Sequence, residues 1–131
     1  MTPYPAPATP GVLHEATALD REPYLSLIRA VLAWTGPKET LQPRDYEQIA
    51  LQLTGQARAV AADVQRRACA LPWGSGRRAL TDIVLRETQR RLAVPLVGTV
   101  RCVQSRARLV RALYARLDRL TESPAAASQE H

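Results

Sequence analysis

Between Tyr46 and Leu71 apolar side chains return at steps of three and four: Tyr46, Ile49, Leu53, Ala57, Val60, Val64, Ala68 and Leu71. That spacing is the period of an α-helix. Opened by Pro43, such a helix over 43–71 would be about 43 Å long at 1.5 Å per residue. A rod of that length with one oily stripe must bury the stripe against other elements, so the rest of the chain has to supply partners. Gly55 interrupts it at a cost of about 1 kcal/mol relative to Ala. Its presence beside Ala57, Ala59, Ala61 and Ala62 predicts close approach by a neighbouring helix.

The partners are helical too. A first helix is expected over 20–34, capped by Asp20, with Pro23 in the first turn and Leu27, Ile28, Val31 and Leu32 inward; Gly36-Pro37 stops it. Pro72-Trp73-Gly74-Ser75-Gly76 is a turn signal. A third helix follows over 76–93, with Ser75 as its cap and Leu80, Ile83 and Val84 as its inner face. A short apolar connection, 94–98, leads to a fourth helix over 99–120. Its inward set is Val100, Val103, Ala107, Val110, Leu113, Tyr114, Leu117 and Leu120. Short loops favour antiparallel neighbours, so an all-α, antiparallel (up-down) four-helix bundle is the economical fold. A three-helix core with the first helix loosely docked is the alternative. Leu51, Leu85 and Leu109 fall out of phase and point to surface apolar contacts.

The bundle is expected to occupy 20–121. Residues 1–19, with Pro3, Pro5, Pro7 and Pro10, read as a disordered Pro-rich tail, and 122–131 as a second disordered tail. Both histidines, His14 and His131, fall in these ends, away from any rigid scaffold for a base or a metal. Cys69 and Cys102 make no metal-type spacing and read as buried free thiols. No run reaches the roughly 18 apolar residues of a membrane span. A signal-peptide start is lacking, so the cytoplasm is the expected compartment.

Charge is unevenly spread. The chain carries a net charge of +6, and Lys38 is the one lysine among 18 basic residues. Residues 1–57 have four basic against six acidic residues, whereas 58–121 have fourteen against four. Arginine forks match the oxygens of phosphate and nucleic acid. A GC-rich genome produces the same Arg- and Ala-rich composition without any functional demand. On the fourth helix Arg101, Arg108, Arg111 and Arg119 project within about 80° of one another, which makes that outer face a candidate for an anionic partner. The third helix adds Arg77, Arg78, Arg86, Arg90 and Arg91.

Two charges sit where an apolar stripe is expected. Glu87 projects among Leu80, Ile83 and Val84, and Arg106 among Val103, Val110 and Leu113. Counted from the middle of the connection the two are level in an antiparallel hairpin, so an interior ion pair between Glu87 and Arg106 is predicted, structural rather than ligand-binding. Trp73 reads first as a lid on the core end and second as an exposed interface anchor. No catalytic, cofactor-binding or metal-ligating constellation is present: Ser75 has no histidine partner, the cysteines no adjacent base, and the carboxylates no recognisable pairing.

The order LTGQARAVAADVQRRACALP, a turn, RRALTDIVLRETQRRLA, a short connection and RARLVRALYARLDRL resembles a family of small actinobacterial (Streptomyces-type) helical proteins of unknown function, often labelled natural product biosynthesis proteins. The resemblance spans about residues 24–121. It rests on Leu71-Pro72, on Glu87 with Arg90 and Leu92, and on the Leu-rich last helix. The family's turn after Leu-Pro is usually acidic, whereas Trp73-Gly74-Ser75-Gly76 stands here. The resemblance implies an association with secondary-metabolite genes and brings no catalytic residues.

These readings point to a non-enzymatic accessory or regulatory protein that acts through contact with a partner protein or a second copy of itself. A basic helical nucleic-acid-binding protein is the alternative, and a small biosynthetic enzyme or ligand carrier the least supported class. No cofactor and no membrane partner are expected.

Overall fold

The computed structural model describes residues 21–122. The first tail, the second from residue 123 on, the Asp20 cap and both histidines lie outside the described residues. Four helices follow one another: α1 (Arg21–Leu32), α2 (Pro43–Cys69), α3 (Gly76–Leu92) and α4 (Val100–Leu120). No strand occurs among the described residues, and none of their helices is long and apolar enough to cross a membrane.

Local chemistry sets the helix ends. Ser75 Oγ accepts the Arg78 amide at 3.1 Å, and Thr99 Oγ1 accepts the Cys102 amide at 3.1 Å, each satisfying a first-turn donor that has no partner within its helix. At α2 the Gln42 amide donates to Asp45 Oδ2 at 2.8 Å, and Pro43 occupies the first helical position. The turn between α2 and α3 passes through Gly74 at φ +85°, a conformation that disfavours a side chain.

The chain alternates in direction from helix to helix, as expected of an up-down bundle, but its most extensive interface joins the two parallel helices α2 and α4. The start of α2 meets the start of α4, where a Cβ on Gly98 would run into the Pro43 carbonyl oxygen. Further along, Gln56 Nε2 donates to Tyr114 Oη at 2.7 Å. Along this interface Ala50, Leu53, Ala57, Val60 and Val64 pack with Val103, Ala107, Val110 and Leu113 into one buried core. Helix α3 lies against α2 on one flank and α1 against α4 on the other.

Helix α1 is fully docked, which removes the three-helix alternative. Ile28 and Val31 are buried. Arg21 lies over the Tyr114 ring at 4.5 Å and bonds Asp118 at 2.8 Å. The α1–α2 loop is stitched by Tyr46, whose hydroxyl accepts the Lys38 amide at 2.6 Å and whose ring meets Trp34 edge-on.

The structure corrects several expectations. Helix α3 is rotated from its predicted phase: Thr81, Leu85 and Thr88 are buried, while Leu80 and Ile83 are 47% and 59% exposed and Val84 is half-buried. Leu109 also joins the core, so of the three out-of-phase leucines only Leu51 stands on the surface. Gly55 is exposed, and a Cβ there would meet nothing within 4 Å, so no helix approaches it. Cys69 is exposed and Cys102 half-buried, so neither is a core thiol. Trp73 is 84% exposed and does not cover the core end.

Candidate functional site

The predicted Glu87–Arg106 pair does not form. Arg106 is buried, 4% exposed, as its position on α4 implied. Its guanidinium instead donates to the carbonyls of Arg91 at 3.0 Å and Val94 at 2.6 Å. These belong to the last turn of α3 and the residues just after it, where carbonyls lack partners within the helix and the helix dipole favours a cation. Glu87 turns outward and takes Arg91 at 3.2 Å and Arg90 at 3.5 Å along its own helix. The rotation of α3 is the reason: it carries Glu87 out with Leu80 and Ile83 and brings the end of the helix, not its middle, to Arg106.

A pocket of about 290 Å³ opens beside Arg106, where α3 gives way to α4. Its walls are mostly apolar, Val94, Pro95, Val97 and Cys102 among them, and Arg91, Arg101 and Arg106 also line it. No carboxylate lines it. Arg101 and Arg106 were singled out in the sequence; the pocket they share was not.

The opposite end of the bundle gathers a second basic group, Arg77, Arg78, Arg116 and Arg119. Arg78 lies over the Trp73 ring at 3.7 Å and donates to the Leu71 carbonyl at 3.0 Å, which fixes the exposed indole against the start of α3. Arg77 donates to the Arg119 carbonyl, joining the first turn of α3 to the last of α4. Burial first, then the neighbouring charges of Arg119 and Arg77, hold the Arg116 guanidinium below the usual arginine range. The nearby acid, Asp118, is taken by Arg21.

Along α4, Arg101, Arg108, Arg111 and Arg119 are all exposed, and none has an ion-pair partner among the described residues. The stripe runs from the pocket to the basic end. Among the described residues no group of three His, Cys, Asp or Glu gathers as a metal site would require.

What the sequence left unseen is the outward flank of α3 and the hollow at the α3–α4 junction. The first had a signal in Leu85, which could have been read as the core position with Leu80 and Ile83 as the surface. The second had none, because it depends on how two helix ends diverge. Comparison with protein-family models, with curated proteins and with solved structures finds no match to this chain.

Proposed function

We propose that this protein is a non-enzymatic accessory or regulatory protein that docks an acidic protein partner on the outward flank of α3. One observation carries the reading: α3 packs on the bundle through Thr81, Leu85 and Thr88 while Leu80 and Ile83 stand in solvent. Burying a Leu or Ile side chain is worth about 1.5–3 kcal/mol relative to leaving it exposed, and the threonine methyls return far less. A helix that turns its oilier flank outward forgoes that gain in the free chain and recovers it when another surface covers the flank. Trp73, held in place by Arg78, is a preorganised aromatic at the end of the same helix.

Charge selects the kind of partner. Arg77, Arg78, Arg86, Arg90 and Arg91 on α3 outnumber Asp82 and Glu87. Two copies apposed through this flank would bring like charges together, whereas an acidic surface complements it. The family resemblance directs the search to proteins made with secondary metabolites, in the cytoplasm.

The test is capture from host extract on the tagged full chain, followed by reconstitution with the purified partner. Wild type is expected to retain an acidic protein and to release it as salt rises. Ile83→Glu is expected to lose it while keeping its helical circular dichroism. Undiminished binding by Ile83→Glu would overturn the reading. So would sedimentation showing a dimer that Ile83→Glu dissolves, which assigns the flank to self-association.

The α4 stripe favours one second reading, a nucleic-acid backbone lying along it. From Arg101 to Arg119 the stripe extends about 27 Å. Binding to duplex DNA of unrelated sequences would then fall steeply with salt, and charge removal at Arg108 and Arg111 would flatten the slope.

A further inference from the structure

We infer that the pocket at the α3–α4 junction binds a small organic carboxylate with an aliphatic or aromatic body. The inference does not rest on the partner-docking reading: Leu80 and Ile83, which carry that reading, do not line the pocket, and Arg91 is the residue the two regions share.

The pocket has the two characters such a ligand needs. Val94 and Val97, both exposed, wall it with apolar surface that the fold does not cover. The cationic side is built rather than incidental. Arg106 is buried with its guanidinium pinned by the carbonyls of Arg91 and Val94, so its position does not depend on a ligand. Those carbonyls solvate the charge but do not neutralise it, and no carboxylate among the described residues pairs with it. Buried charges are ordinarily paired. Arg101, at the rim, likewise has no ion-pair partner among the described residues, while Arg91 is committed to Glu87. The first turn of α4, through Thr99, Arg101 and Cys102, adds the positive end of a 21-residue helix to the same hollow.

Size and wall chemistry narrow the ligand. At about 290 Å³ the volume is at the small end of ligand pockets. A carboxylate places one charge against Arg106 and Arg101 and leaves its body for the valines. Inorganic phosphate would satisfy the arginines but leave the apolar wall wet.

Cys102 provides the readout. It is half-buried in the pocket lining, whereas Cys69 is exposed on α2 and serves as an internal control. The experiment is timed alkylation of the full chain by iodoacetamide, with each cysteine followed by peptide mass spectrometry, in the presence of hexanoate or benzoate. Sodium chloride, inorganic phosphate and hexylamine serve as matched additions. If occupancy shields the thiol, alkylation of Cys102 slows by about ten-fold when the probe stands at roughly ten times its Kd, and Cys69 is unaffected. Hexylamine should give no protection, phosphate less than either carboxylate, and Arg101→Gln should abolish the effect while its exposed position leaves the fold intact. The inference fails if no carboxylate slows Cys102 at millimolar concentration, if both cysteines slow together, or if hexylamine protects as well as hexanoate.

Discussion

Gln104 and Arg106, two residues apart on α4, each close the C-terminal end of a different neighbouring helix. Gln104 Nε2 donates to the carbonyls of Val31 and Trp34, both at 3.0 Å, at the end of α1. Arg106 does the same for Arg91 and Val94 at the end of α3. Two steps along a helix turn a side chain by about 200°, so the pair faces opposite flanks. Helix α4 thereby locks α1 and α3 at the same level of the bundle, using polar groups that would be costly to bury anywhere else.

From this the energetics of Arg106 and Glu87 separate. Hydrogen bonds to a charged group are worth about 1.5–3 kcal/mol each, so Arg106→Met, which removes both bonds and leaves the Arg91 carbonyl only the Val94 amide, is expected to lose about 3 kcal/mol in urea unfolding. Glu87 is half-exposed and its partners are surface arginines, so Glu87→Gln should cost less than about 0.5 kcal/mol after screening. The double variant should show the sum of the two losses. A coupling well above the measurement error would restore the direct pair.

The same substitution should act with opposite sign at two glycines. At Gly98 an added Cβ runs into the backbone of Pro43, so the α3–α4 connection or the start of α2 must move. Gly98→Ala is expected to destabilise by about 1–3 kcal/mol, the range for overpacked sites. At Gly55, mid-helix and open to solvent, Gly55→Ala should stabilise by about 1 kcal/mol. Thermal midpoints of the two variants, moving in opposite directions, are the check.

Helix α3 should respond according to its observed phase. Leu85→Ala, in the core, is expected to cost about 2–3 kcal/mol, whereas Leu80→Ala and Ile83→Ala should fall within about 0.5 kcal/mol as surface changes. Thr81 is fully buried and its hydroxyl has no hydrogen-bond partner. Thr81→Val, which removes that hydroxyl at nearly constant shape, should therefore raise the denaturation midpoint by the equivalent of about 1 kcal/mol. A loss on Thr81→Val would mean that the hydroxyl is satisfied in solution.

Tyr114 should make the bundle sensitive to alkali. Burial is the largest influence on its phenol and raises it above the ordinary value of 10.0, against the lowering effects of the Gln56 hydrogen bond and the Arg21 charge. The folded state then holds this proton more tightly than the unfolded chain does. The associated stability is intact below pH 10 and drains away as pH rises through the folded-state value. Tyrosinate absorbance should show one ionisation above the ordinary range that Tyr114→Phe removes. Stability measured across the same interval should decline less steeply in that variant.

The sequence by itself determined what short-range physics controls. The long period of three and four placed α2 within two residues at its far end, Ser75 and Thr99 marked the starts of α3 and α4, and most of the inward faces of α2 and α4 was legible, Ala50 and Leu109 being apolar core positions it missed, because those helices carry wide, strongly apolar stripes. Arg106 was recognised as interior for the same reason. Tertiary structure alone decided the rest. Helix α3 has too few apolar residues for its stripe to choose a phase, and the space left beside α2 selected Thr81, Leu85 and Thr88 over Leu80 and Ile83. That rotation, in turn, sent Arg106 to the carbonyls at the end of α3 and Glu87 to its own arginines. Periodicity states which residues share a face of one helix; which face a neighbour accepts, and what hollow remains where two helix ends part, depend on shapes that only the assembled bundle brings together.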